Sequence, residues 1–150
     1  MDSNIPVQLP EHGSCFVCGS ENPKGMGLTW YRKQHTAGGI LIFADFQFTL
    51  AEQGPPGYTH GGASAAVLDE AMGAVVWLAG MPVVLANMNL NYSLPVPLGV
   101  SLRVEAWLDR VEGKKAYSRS HIMLPNERKA IDAQGLYVQA PELFQHAFYR

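Results

Sequence analysis

From residue 87 onward the chain keeps a period of two. In NMNLNYSL (residues 87–94) Met88, Leu90, Tyr92 and Leu94 alternate with Asn87, Asn89, Asn91 and Ser93. In SLRVEAWLDRVEG (residues 101–113) Leu102, Val104, Ala106 and Leu108 alternate with Arg103, Glu105, Trp107 and Asp109. Such alternation marks antiparallel strands covered on one face. Residues 116–124 and 129–139 continue the pattern, with tight turns predicted at EGKK and PNER. Earlier in the chain, LTWYRKQ (28–34) and ILIFADFQF (40–48) read as a hairpin around TAGG, and the Gly-Pro-Pro-Gly stretch within residues 53–59 as an irregular loop. Residues 62–79 form an apolar run too long for a strand, which predicts a helix stopped by Gly80 and Pro82. A lone helix cannot bury itself, whereas an antiparallel sheet can wrap it. The expected architecture is therefore α+β: an antiparallel sheet of about six strands around one long central helix, spanning residues 28–140. An irregular Pro/Gly-rich arm (1–27) precedes it and a short tail (141–150) follows.

Composition narrows the class. The 150 residues suffice for one domain with one core, and 47% apolar with 16% charged residues is globular and somewhat poor in charge. Low charge is compatible with surface buried against a second copy. A net charge of −2 argues against a nucleic-acid binder. The start, MDSNIPVQLPEHGS, lacks a basic segment followed by an apolar one, so no secretory signal is expected. The stretch 61–85 is apolar enough to suggest a membrane span, but the paired acids inside it and the Gly80–Pro82 break favour a buried helix and a cytoplasmic protein.

Those acids, Asp69 and Glu70, stand near the middle of an otherwise charge-free run. A carboxylate away from water must be paired, protonated or used. On a helix, Asp69 shares its face with Ala65, Ala66, Met72, Gly73 and Val76, small enough neighbours to admit a ligand. Glu70 lies about 100° further round and is expected to face water at an interface. His60-Gly61-Gly62 immediately precedes the helix, where unpaired N–H groups and partial positive charge can polarise a carbonyl. Gly62 and Asp69 are about 10 Å apart along a helix axis, so both grip one small carbonyl only if the site is shared between two chains.

Cys15 and Cys18, in HGSCFVCG, offer with His12 three zinc ligands. A structural site needs four, so the expectation is a reduced, loop-borne pair and no metal.

HGG followed by ASAAVLDEAMG resembles the hotdog-fold acyl-CoA thioesterases of the phenylacetate-pathway type, and the wider match, with NMNLNYSLPVPLG and LDRVEGKKAY, is similar to the branch that contains the human thioesterase superfamily proteins of mitochondria, over about residues 15–140. The resemblance implies a hotdog fold, no cofactor, and an acyl-CoA substrate hydrolysed in a homodimer or homotetramer with its active site at the dimer interface. It implies Asp69 as general base or nucleophile, Gly61 and Gly62 as the amides that polarise the thioester carbonyl, and His60 bordering the site. Two positions depart from the family pattern. Gly54 stands where some relatives carry Asn, and Leu85 where a Ser or Thr hydroxyl is common; Asn87 is a candidate substitute for that hydroxyl. Seven of the eleven Lys and Arg residues fall in 103–129, among them Lys114, Lys115 and Arg119, a candidate basic rim for coenzyme A phosphates. Met72 and Gly73 are candidates to line an acyl tunnel. The competing reading is a non-catalytic acyl-CoA-binding or scaffold hotdog protein.

Overall fold

Seven antiparallel strands and one long helix make up the structure, a computed structural model that describes residues 4–145. In chain order they are β1 (Val7–Gln8), β2 (Tyr31–Gln34), β3 (Ile40–Phe46), α1 (Gly61–Leu78), β4 (Val83–Tyr92), β5 (Leu102–Glu112), β6 (Lys115–Met123) and β7 (Lys129–Gln139). Short 3-10 turns lie at Leu50–Glu52 and Pro141–Phe144. The sheet order is β1-β2-β3-β5-β6-β7-β4. The expected layout of a sheet laid against a single long helix is the one observed.

The alternating pattern sets the faces. Along β5, Leu102, Val104 and Ala106 are buried while Arg103, Glu105 and Trp107 are not. Their partners across the ladder, Ile122 and Ser120 of β6 and then Ile131 and Ala133 of β7, are buried on the same face. Against this face α1 lays a stripe made of Ser64, Val67, Leu68, Ala71, Met72, Val75 and Val76. The spacing of three and four keeps these residues on one side of a helix. At its end the Gly80 N–H bonds to the Trp77 carbonyl and the Met81 N–H to that of Val76. Gly80 takes φ +89, which permits this closed-off end at no steric cost.

Four differences from the sequence reading have local causes. The arm is not wholly irregular, because Val7–Gln8 pairs with β2 as a seventh strand. The first hairpin strand is shorter than residues 28–34; Leu28 and Trp30 are buried but precede the ladder. The second ends at Phe46, the last residue paired with β5. The strand expected to run on to Leu94 ends at Tyr92, the last residue of β4 paired with β7. Of the tail, residues 146–150 lie outside the described residues. No helix among the described residues is long and apolar enough to cross a membrane.

Candidate active site

Asp69 sits on the flank of α1, beside its buried stripe. Its carboxylate Oδ1 accepts a hydrogen bond of 2.8 Å from the Tyr137 hydroxyl, whose single proton is shared with the Asp69 backbone carbonyl at 2.9 Å. Tyr137 reaches it from β7 and is buried. The space for that ring is made by Gly135, where a Cβ would lie 2.6 Å from Tyr137 Cε2. Partial burial raises the Asp69 pKa above the ordinary carboxylate range. The Tyr137 hydrogen bond opposes this and the neighbouring Glu70 charge adds to it. Tyr137 is held well above the usual phenol value by burial and by the Asp69 charge. The pair is thus a carboxylate fixed by a neutral phenol, a group able to take a proton and unable to drift.

Asp69 opens onto a cavity of about 720 Å³, bounded on one side by Gly73, Trp77, Leu85 and Phe144 and on the other by His12 and Cys15 of the arm. The volume lies within the range of small-molecule sites. Trp77 and Phe144 meet edge to face at 4.8 Å between ring centroids. Leu85 stands opposite Tyr137 in the β4–β7 ladder, so both point to this side of the sheet. The position that the family pattern gives to a hydroxyl therefore faces Asp69, and it carries an isobutyl group.

A second locus lies at the start of α1. His60 caps the helix, its Nδ1 accepting from the Gly62 N–H at 2.9 Å. That amide, predicted from the sequence to polarise a carbonyl, is already engaged. The Gly61 N–H, one residue earlier, has no acceptor among the described residues, and it lies at an exposed helix terminus. The Tyr92 hydroxyl donates to the Gly61 carbonyl at 2.7 Å and ties the turn to β4. His60, Gly61 and Gly62 do not line the cavity that contains Asp69. Within one chain the two loci are separate.

Other expected site residues fall elsewhere. Met72 is fully buried and belongs to the core; the Ser118 hydroxyl donates to its carbonyl. Asn87 pairs with Leu136, the residue before Tyr137, because β4 bulges at Ala86. It therefore points to the opposite face from Leu85 and cannot replace a hydroxyl there. Lys114 lies in the β5–β6 turn, Lys115 begins β6, and Arg119 stands on the outer face of the sheet, 3.7 Å from Asp109. None of the three borders the Asp69 cavity.

Glu70 does not face open water. Its Oε1 accepts from the Cys18 thiol at 3.5 Å and lies 3.4 Å from His12 Nδ1. Burial pushes the Cys18 thiol up to about 12. With Cys15, these residues form a compact group of four side chains of metal-ligand type. The sequence presented three of them; the fourth, Glu70, comes from α1.

Tyr137 and Tyr92 were not singled out from the sequence as parts of a site, nor was the arm as a wall of the Asp69 cavity. Tyr137 does carry a signal, a polar-tipped aromatic two residues after a glycine in QGLYVQ, but its partner lies 68 residues away.

Comparison with known proteins agrees with the architecture. The chain is 36% identical over 129 residues to acyl-coenzyme A thioesterase THEM4 of Bos taurus, a match covering 86% of this chain and 49% of the bovine protein. It is 34% identical over 93 residues to the THEM4 protein of Xenopus laevis, covering 61% of this chain and 39% of that protein. The chain thus spans about half the length, or less, of these curated relatives. Among solved structures, the thioesterase superfamily protein RHA08564 superposes with a TM-score of 0.76 at 27% identity, covering 85% of this chain and 61% of that one. Residues 56–131, from the loop before α1 into β7, match the thioesterase superfamily. The chain belongs to the thioesterase superfamily, on a hotdog fold.

Proposed function

We propose that this chain hydrolyses acyl-CoA thioesters to a free acid and CoA, in a homodimer whose two sites each combine residues of both copies. The observation that carries the reading is the Asp69 carboxylate, fixed by Tyr137 at the wall of a cavity with apolar side chains. The name of the bovine and frog relatives, acyl-coenzyme A thioesterase, supplies the substrate class.

In this mechanism the acyl group occupies the cavity between Trp77, Leu85 and Phe144. Asp69 removes a proton from a water that attacks the thioester carbon. The carbonyl oxygen gains negative charge beside the unpaired Gly61 N–H at the positive end of α1 from the second copy. When the tetrahedral adduct collapses, the C–S bond breaks and the CoA thiolate leaves, to be protonated by Asp69 or solvent. Direct attack by Asp69 on the carbonyl, followed by hydrolysis of the anhydride, balances equally well. Among the described residues β4 has a neighbour only on its β7 side, so its other edge suits pairing with a copy of itself. A cytoplasmic location completes the reading.

Leu85 favours a second reading, acyl-CoA binding without turnover, since no hydroxyl at that position orients a water. The test is thiol release from a panel of acyl-CoAs by wild type and Asp69→Asn. We expect hydrolysis by the wild type and a loss of about 10²–10⁴-fold in kcat in the variant, with its fold retained. A variant that keeps more than about a third of wild-type kcat excludes Asp69 as the base or nucleophile. Binding of acyl-CoA by a wild type that never releases thiol selects the second reading.

A further inference from the structure

We propose that His12, Cys15, Cys18 and Glu70 form a structural zinc site that fastens the N-terminal arm to α1. The donor atoms of the four side chains all lie within 4.8 Å of one another. Three of the separations are 3.6 Å (Cys18 Sγ to His12 Nδ1), 3.5 Å (Cys18 Sγ to Glu70 Oε1) and 3.4 Å (His12 Nδ1 to Glu70 Oε1). Zinc bonds of about 2.0–2.3 Å to N, O and S in a tetrahedron set the donors about 3.3–3.8 Å apart. The three measured edges fall within that window before any ion is placed.

The donor set is chemically suited to zinc. Two thiols, an imidazole and a carboxylate are all zinc ligands, and four protein donors close a tetrahedral site. Two thiolates and one carboxylate around Zn²⁺ leave a net charge of −1, far easier to hold in a partly buried place than three bare anions.

The loop is shaped around this point. Its spacing is His-x-x-Cys-x-x-Cys, with the Cys15 N–H bonded to the His12 carbonyl at 2.8 Å and the Gly19 N–H to the Cys15 carbonyl at 2.9 Å. These successive turns bring the three arm donors to one side. The chain closes so tightly that a Cβ on Gly19 would lie 2.3 Å from the Gly13 carbonyl oxygen. Glu70 supplies the link to the helix, next to Asp69. Since His12, Gly13, Ser14 and Cys15 form one wall of the Asp69 cavity, the ion fixes that wall in place.

The proposal stands apart from the catalytic reading, and its test does not use activity. The full chain, purified without chelator, is assayed for bound metal, then stripped and titrated with Zn²⁺ and with Co²⁺. We expect about one zinc per chain. Co²⁺ should give thiolate-to-metal charge-transfer absorption with the d–d bands of a tetrahedral site. Removing zinc should lower Tm by about 5 °C or more. Cys15→Ser should lose the cobalt charge-transfer intensity of one thiolate and melt near the stripped wild type. Glu70→Gln should weaken zinc binding at least about tenfold. A wild-type chain that takes up no zinc from an equimolar solution, gives no cobalt bands and melts identically with and without chelator overturns the site, leaving a hydrogen-bonded thiol–imidazole–carboxylate cluster. Unchanged zinc affinity in Glu70→Gln overturns the link between arm and helix.

Discussion

Asp69 draws its chemistry from a contact that spans most of the domain. Tyr137, 68 residues further along the chain, holds the carboxylate by a 2.8 Å hydrogen bond. Removing the hydroxyl leaves the ring packed and frees the carboxylate to rotate. Tyr137→Phe is therefore expected to lower kcat for acyl-CoA hydrolysis by about 10- to 100-fold through misplacement of the proposed base. KM should change much less, and circular dichroism should report an unchanged fold. A variant with wild-type kcat would show that Tyr137 is only a core residue. At this scale the sequence discloses the acids but not their partners. A charged pair in an apolar run is visible in isolation, whereas Tyr137 and the arm cysteines become neighbours of the helix only once the sheet has closed over it. For the same reason Glu70 read as a water-facing residue, though Cys18 meets it from 52 positions away.

Elements turn on two backbone details. The strands were legible because alternation follows directly from burial on one face, and the helix because its apolar run is long and ends in Gly-Met-Pro. What alternation cannot disclose is a bulge. The extra residue at Ala86 reverses the parity of β4, so Leu85 faces Asp69 while Asn87 points to the other side. The loop before α1 holds the second detail. There the Gly54 N–H bonds to the Tyr58 carbonyl and the His60 N–H to that of Glu52, folding the loop against the helix cap. A Cβ on Gly54 would lie 2.8 Å from the His60 Cα, a backbone atom that cannot move aside alone. Restoring the Asn of some relatives should therefore not restore a lost function here. Gly54→Asn is expected to destabilise the chain by about 1–3 kcal/mol, read as a lower midpoint in urea. An unchanged midpoint would mean that the loop accommodates the side chain without disturbing the cap.

At the scale of the whole molecule, the two halves of the proposed chemistry lie apart. Asp69 belongs to the cavity beneath Trp77 and Leu85, while the unpaired Gly61 amide opens elsewhere, at the head of the helix. Seven residues of helix separate Gly62 from Asp69, about 10 Å. The sequence alone conveyed this distance, because helical rise is fixed. It did not convey the order of the strands, β1-β2-β3-β5-β6-β7-β4, which among the described residues leaves β4 at an edge. Gly61 offers a clean probe of the shared site. Proline at the first helical position removes the N–H and suits the helix geometry. His60 already has φ −61 and ψ 132, the conformation that a residue before proline prefers. A Cβ on Gly61 would meet only the Tyr92 ring, at 3.6 Å. Gly61→Pro should thus fold and lose about 10²–10³-fold in kcat. Asp69→Asn should be comparably inactive for its own reason. The decisive measurement unfolds these two variants together, refolds them as a mixture and follows thiol release from an acyl-CoA. If each site takes Asp69 from one copy and Gly61 from the other, a mixed dimer holds one intact site. Random pairing should then restore about a quarter of wild-type activity. A refolded mixture no more active than its two parents would contradict the shared site.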